Sequence, residues 1–163
     1  MSTKLFLTAE LNNVTDLKAI DTVESPFEYT FKIQCTKCRE IHSKNISINR
    51  FEKHELEGSR GEANFTNKCD FCSETSNCSI SIPKKYESYK IEQNKKRVAI
   101  LEIDARGLEL VEFIPEGLFS CKGAETSTVF EEVDLSEGEW YDYDDRAGEE
   151  VSITEISWDI SKK

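Results

Sequence analysis

Long apolar runs are missing from this 163-residue chain, and nothing in it approaches the roughly 20 apolar residues that a membrane-spanning helix needs. The one short apolar stretch near the start, Leu5-Phe6-Leu7, meets Glu10 before the core of an export signal can form, so the expected location is cytoplasmic, with the nucleus as the second choice. Glycine (7) and proline (3) are scarce, which excludes collagen-like and Gly/Pro-rich low-complexity classes. Positive charge is also short: 21 Lys and Arg stand against 32 Asp and Glu, a net charge of -11. Four thiolates and one Zn²⁺ would take that to about -13. A field of this sign repels phosphate backbones and anionic lipid, so no nucleic acid and no membrane partner is expected.

What the chain does have is alternation. Phe27, Tyr29, Phe31, Ile33 and Cys35 share one parity and Glu28, Thr30, Lys32 and Gln34 the other, the period of a strand with one buried face. Shorter strands are expected over 5–11, 63–65, 78–82 and 98–103. Near the C-terminus, Val151 and Ile153 alternate and then resume as Ile156, Trp158 and Ile160, which predicts a β-bulge around Thr154-Glu155. Ile48 to Leu56 is the one stretch where a short helix competes. Lys84-Lys85 and Lys95-Lys96-Arg97 flank expected strands and read as edge protection rather than a binding patch. The fold class is therefore mainly β, one domain over 1–163. A faint echo between Ala9-Glu10-Leu11 and Leu101-Glu102-Ile103 suggests a β-sandwich of two similar halves, about 1–97 and 98–163, packed face to face.

Six cysteines in a reducing compartment read first as metal ligands and free thiols. Cys35-Thr36-Lys37-Cys38 and Cys69-Asp70-Phe71-Cys72 are two C-x-x-C pairs. Each offers two sulfurs from one tight turn, and together they make the S₄ shell that Zn²⁺ takes in closed structural sites. The separation is longer than in the common zinc ribbon, so inserted elements are expected between the pairs. A thioredoxin-type redox site would need one such pair opening a helix in a βαβ setting, which this β-rich context does not offer. An iron–sulfur cluster takes the same four thiolates, and spacing alone leaves it open.

The other chemistry-bearing residues are weaker candidates. Cys78 reads as a small buried thiol on a strand. Cys121 is expected in a loop beside Lys122, where a nucleophile is conceivable but no His or Asp partner is visible. His42 and His54 are left out of the metal shell, because four cysteines close it. Gly58-Ser59-Arg60-Gly61 is expected to form a tight connection leading to the second pair. Trp140-Tyr141-Asp142-Tyr143-Asp144-Asp145 is expected as an acidic aromatic surface loop. It would anchor a partner or, through Trp140 and Tyr143, cover the end of the sandwich. The Asn-x-Ser/Thr sequons at Asn13, Asn45, Asn64 and Asn77 read as chance matches.

Taken in order, several motifs resemble the eukaryotic CXXC motif-containing zinc-binding protein family. They are the run Leu11 to Leu17, Cys35-x-x-Cys38, Gly58-x-Arg60-Gly61 before Lys68-Cys69-x-x-Cys72, Arg106-Gly107-Leu108-Glu109 and Trp140-x-Asp142-Tyr143-Asp144. The resemblance implies a β-sandwich of two similar halves, a zinc-ribbon-like Cys₄ site in the first, no established catalytic activity, and a link to metal handling that includes copper-chaperone domains. It also disfavours the iron–sulfur alternative. The leading expectation is a noncatalytic interaction module, monomeric, with one structural Zn²⁺ on Cys35, Cys38, Cys69 and Cys72, no catalytic residues, and a protein partner such as a metal-chaperone domain. Two alternatives are a methionine sulfoxide reductase B-like enzyme using Cys121, and a metal relay that employs Cys78 or Cys121.

Overall fold

Alternation dictates strands, and strands dominate the structure, a computed structural model that describes residues 2–56, 58 and 61–162. In chain order they are β1 (Ser2–Asn12), β2 (Val14–Ala19), β3 (Tyr29–Cys35), β4 (Ile46–Ile48), β5 (His54–Glu55), β6 (Glu62–Ala63), β7 (Phe65–Lys68) and β8 (Thr75–Ser81). A 3₁₀ turn (Ile91–Gln93) precedes β9 (Val98–Arg106), β10 (Leu108–Ile114), β11 (Leu118–Gly123), β12 (Val129–Asp134), β13 (Trp140–Asp144) and β14 (Glu149–Ser161). That turn is the only helical element among the described residues. The stretch 48–56 is not helical: it ends β4, turns, and enters β5. Asn49 caps that turn by accepting the Phe51 amide at 2.7 Å, the local competition with helix that Asn favours.

The sheets are built from two halves that exchange strands. The six-stranded sheet runs β13-β14-β1-β9-β8-β7, and two three-stranded sheets run β10-β3-β4 and β12-β11-β2. Replacing β1, β2, β3, β4, β7 and β8 by β9 to β14 in order turns each arrangement into its counterpart. β1 and β9 meet at the centre as antiparallel partners. Each half lends its second strand to the other: β2 pairs with β11, and β10 with β3. The turns that allow this are one residue long, Asn13 at φ 61° and Gly107 at φ 80°. A Cβ at position 107 would press on Thr75 and Ser76, so glycine is required there.

The core lies between the large sheet and the two small ones. Leu5, Leu7, Ala9 and Leu11 of β1 are buried, as their shared parity requires. An aromatic chain crosses the layers: Phe31 to Phe113 at 5.4 Å, Phe113 to Trp158 at 4.8 Å, Trp158 to Phe119 at 5.9 Å and Phe119 to Phe27 at 5.2 Å. Burial of each such ring contributes about 2–3 kcal/mol before geometry is counted. The expected bulge in β14 is present: Thr8 pairs with Ser157 but Glu10 with Thr154, and Glu155 takes φ 50°. One extra residue keeps Val151 and Ile153 on the same face as the half-buried Ile156, Trp158 and Ile160.

Several expectations need correction. Trp140 to Asp144 is not a loop but β13, an edge strand of the large sheet; aspartates at alternate positions disguised it, because β propensity counts them as turn residues. Trp140 does cover the end of the core, edge-on to Phe130 at 5.4 Å, whereas Tyr143 stays exposed. The stretch 63–65 is broken at Asn64, which is buried. Its amide donates to the carbonyls of Arg50 and Glu52, and its Oδ1 accepts the Ile80 amide at 2.8 Å. The tight connection expected at Gly58 to Gly61 involves Ser59 and Arg60, which lie outside the described residues. Lys95 and Arg97 are engaged within the chain, with Glu10 at 2.9 Å and with Asp159, and the Arg97 guanidinium stacks 3.5 Å from the Phe6 ring centre.

Candidate metal centre

Each cysteine pair sits where a strand gives way to a turn. Cys35 ends β3, and the chain curls so that its amide donates to the Glu40 carbonyl while the Arg39 amide donates back to the Cys35 carbonyl, both at 3.0 Å. Cys69 follows β7 and repeats the pattern with Glu74 and Ser73, both at 2.9 Å. The turns close only if the residue after each second cysteine is left-handed, and Arg39 (φ 67°) and Ser73 (φ 64°) both are. A non-glycine residue in that conformation costs about 1–2 kcal/mol. The turns therefore need something to hold them.

The four sulfurs meet across the two turns. Cys35 and Cys72 Sγ are 3.7 Å apart, Cys38 and Cys69 Sγ 3.6 Å, and all four lie within 4.8 Å of one another. Zn–S bonds near 2.3 Å in a tetrahedron place sulfurs about 3.8 Å apart, so the residues fit a single Zn²⁺. The backbone is aimed to stabilise thiolate. Amides of Cys38 and Lys37 bring Cys35 down to about 7. At Cys38 the Glu40 amide pulls the same way, but burial and the neighbouring sulfurs outweigh it and push it up to about 12. The Cys72 thiol is also raised: the Glu74 amide lowers it, and burial with the Cys35 sulfur overcomes that effect. Four negative sulfurs at this spacing repel one another, and a divalent cation removes that conflict. The inserted elements expected between the pairs are β4 and the β5–β6 hairpin.

The other candidates stay outside this group. Cys78 is buried on β8, and burial, with Asp104 adding to it, pushes its thiol up to about 12. Cys121 is not in a loop: it lies on β11, 1% exposed, raised to about 12 by burial and then by Asp142. The neighbouring Lys122 and Gly123 look like turn residues, which hid the strand. His54 pairs into the β5–β6 hairpin. His42 lines a small recess of about 10 Å³ with Cys35, Cys69 and Phe71, and Phe71 itself projects 61% exposed beside the cysteines.

The strand exchange places an equivalent pair of turns in the second half, after β11 and after β13. The Gly123 amide donates to the Thr128 carbonyl at 2.8 Å and the Ser127 amide to the Gly123 carbonyl at 3.0 Å, the pattern of Cys35 with Glu40 and Arg39. The Gly148 amide donates to the Asp144 carbonyl at 2.8 Å, as Ser73 does to Cys69. Ser127 (φ 60°) and Gly148 (φ 67°) supply the left-handed residues. Gly123 and Thr126 thus stand where Cys35 and Cys38 stand, and Asp144 and Ala147 where Cys69 and Cys72 stand. The buried Asp144 carboxylate fills the space between. It accepts from the Thr126 hydroxyl at 2.5 Å, the Thr128 hydroxyl at 2.8 Å, and the amides of Arg146 and Ala147 at 3.1 and 3.3 Å. The Thr126 bond first, then Thr128 and the amides, holds its carboxyl below the usual range against the effect of burial. A Cβ on Gly123 would collide with that carboxylate and with Thr126. Sequence reasoning missed this twin because it carries no cysteine; the visible trace is Asp144 four residues before Gly148.

Fold and site together define an all-β zinc-knuckle protein, with one Cys₄ cluster clasping two strand-end turns. The chain belongs to the family described as CXXC motif containing zinc binding protein, eukaryotic, whose model matches residues 4–161. It is similar to UPF0587 protein C2D10.03c of Schizosaccharomyces pombe, 48% identical over 158 residues, covering 97% of this chain and 96% of the relative. The human CXXC motif containing zinc binding protein is 34% identical with the same coverage of both chains. Among solved structures, that of C1orf123 superposes with a TM-score of 0.90 at 32% identity over 100% of both chains. A hypothetical protein from Plasmodium falciparum gives 0.87 at 25% identity over 99% of both. Zinc binding is thus the role that family and cysteine cluster share.

Proposed function

We propose that this protein is a noncatalytic, intracellular interaction module in which zinc is structural. The observation that carries the reading is the closed shell: four sulfurs already satisfy a tetrahedral ion and leave no position for substrate or water. Amide hydrogen bonds to the sulfurs support it, since they stabilise a permanent thiolate site. The burial and raised pKa of Cys121 and Cys78 speak against the nucleophile and relay alternatives. Partners would be proteins, with a metal-chaperone domain among the classes to try.

Metal content and thermal unfolding test the reading together. Purified protein should hold one zinc per chain, and stripping it with a chelator should lower Tm by roughly 10 °C or more. Absence of stoichiometric metal, or an unchanged Tm after stripping, refutes a structural role.

A further inference from the structure

The two edges of the large sheet hold equivalent strands with different surfaces. β7 and β13 each pair on one side only, with Phe65 opposite Cys78 and Trp140 opposite Ile153. Thr66 and Lys68 therefore correspond to Tyr141 and Tyr143. An exposed lysine is a usual way to blunt a strand edge. On β13 the same positions carry two phenol rings, 64% and 48% exposed, side by side on one face. Their cross-strand neighbours are Ser152 and Glu150, and the Tyr141 hydroxyl donates to Glu139 at 3.1 Å. β13 pairs with β14 without a register shift, whereas the nearby edge strand β12 is bulged between Phe130 and Val133. A bulge blunts an edge; β13 has none.

Charge singles out the same region. Between residues 115 and 150, twelve carboxylates stand against Lys122 and Arg146, a net charge of -10 out of the chain's -11. The remainder of the chain is close to neutral, so the net negative charge is carried by the segment that contains β11, β12 and β13.

We propose that the exposed edge of β13, where the Tyr143 amide donates to the Asp142 carboxylate at 2.7 Å until a partner strand replaces that bond, docks an extended, basic segment of a partner protein, which joins the sheet beside it and lays Lys or Arg side chains over Tyr141 and Tyr143. Main-chain bonds to the edge supply affinity, and strand alternation brings every second side chain onto the tyrosine face. There each cation gains a ring face and the nearby carboxylates of Glu139 and Glu150. This names the contact surface of the interaction module proposed above and rests on that reading.

The test uses the zinc-loaded full chain and a short peptide alternating Arg with Thr and Val, followed by fluorescence anisotropy and amide exchange. Control peptides carry N-methyl groups on alternate amides, or Glu in place of Arg. The parent peptide should bind and slow exchange in β13, and both controls should fail. The double variant Tyr141→Thr/Tyr143→Lys, which transplants the first-half residues and should keep the wild-type Tm, should bind about tenfold or more weakly. No binding, equal binding of the N-methylated peptide, protection elsewhere, or an unchanged affinity in the double variant overturns the proposal. Zinc is measured in the same samples: one zinc per chain without peptide binding refutes the docking edge alone and leaves the zinc scaffold standing.

Discussion

One end of this molecule is clasped by cysteines and the matching end by a carboxylate, although the backbone of the two is nearly the same. At the first, the turns after β3 and β7 bring four sulfurs together. At the second, the turns after β11 and β13 repeat the same amide-to-carbonyl closures, but Asp144 gathers two threonine hydroxyls and two amides. In both, an anion is held by backbone amides two and three residues further on, Lys37 and Cys38 for the Cys35 sulfur, Arg146 and Ala147 for Asp144. The difference teaches that the fold requires a tie between these turns and accepts more than one chemistry for it. Zinc is one solution, and a fully satisfied buried carboxylate is the other.

The sharpest way to break the comparison is to remove one tie at a time. Cys38→Ser should abolish stoichiometric zinc and lower Tm by roughly 10 °C or more, as read by metal analysis and calorimetry. Gly123→Ala should leave zinc in place yet cost about 1–3 kcal/mol in denaturant unfolding, because its Cβ displaces the Asp144 carboxylate. A smaller and pH-dependent loss is expected from Asp144→Asn. The carboxyl pKa lies below its unfolded value, so its stabilisation is complete above the ordinary carboxylate range and wanes as pH falls through the lowered value. Wild type and variant should differ at neutral pH and converge in acid, the reverse of what a raised pKa would give. The smallest effect is shared by both ends. Ser73→Gly and Ser127→Gly, at φ 64° and 60°, should each stabilise by roughly 0.5–1 kcal/mol, and unequal gains would show that the two turns are not equivalent.

The metal site was legible because its signal is local: four residues of one chemistry at a fixed spacing name the turns and a four-thiolate shell, and the family resemblance names zinc as the ion. The β14 bulge was equally readable, since one residue inserted into a strict alternation at Thr154-Glu155 would turn half the strand away from the core unless the backbone bulged there. Strand exchange was not, because which strands pair is decided by contacts far apart in sequence, such as Leu108 with Cys35. The echo between Ala9-Glu10-Leu11 and Leu101-Glu102-Ile103 pointed to two halves but in a register displaced from the one that matches the Asn13 and Gly107 turns. The acidic twin stayed hidden for a chemical reason. Asp, Thr and Gly are common turn residues, so nothing about them announces a clasp until the carboxylate is seen inside it.

Mutual lending of strands has a consequence for synthesis. β1 lies between β9 and β14, its residue Lys4 opposite both Glu102 and Ser161, so this strand must wait for neighbours that are made long after it. With so many partners distant along the polymer, acquisition of the native state should be slow, and β1 needs protection from other nascent chains meanwhile. Neither half, made separately, would find the strands it borrows; mixed together, the two fragments have every surface required to reassemble.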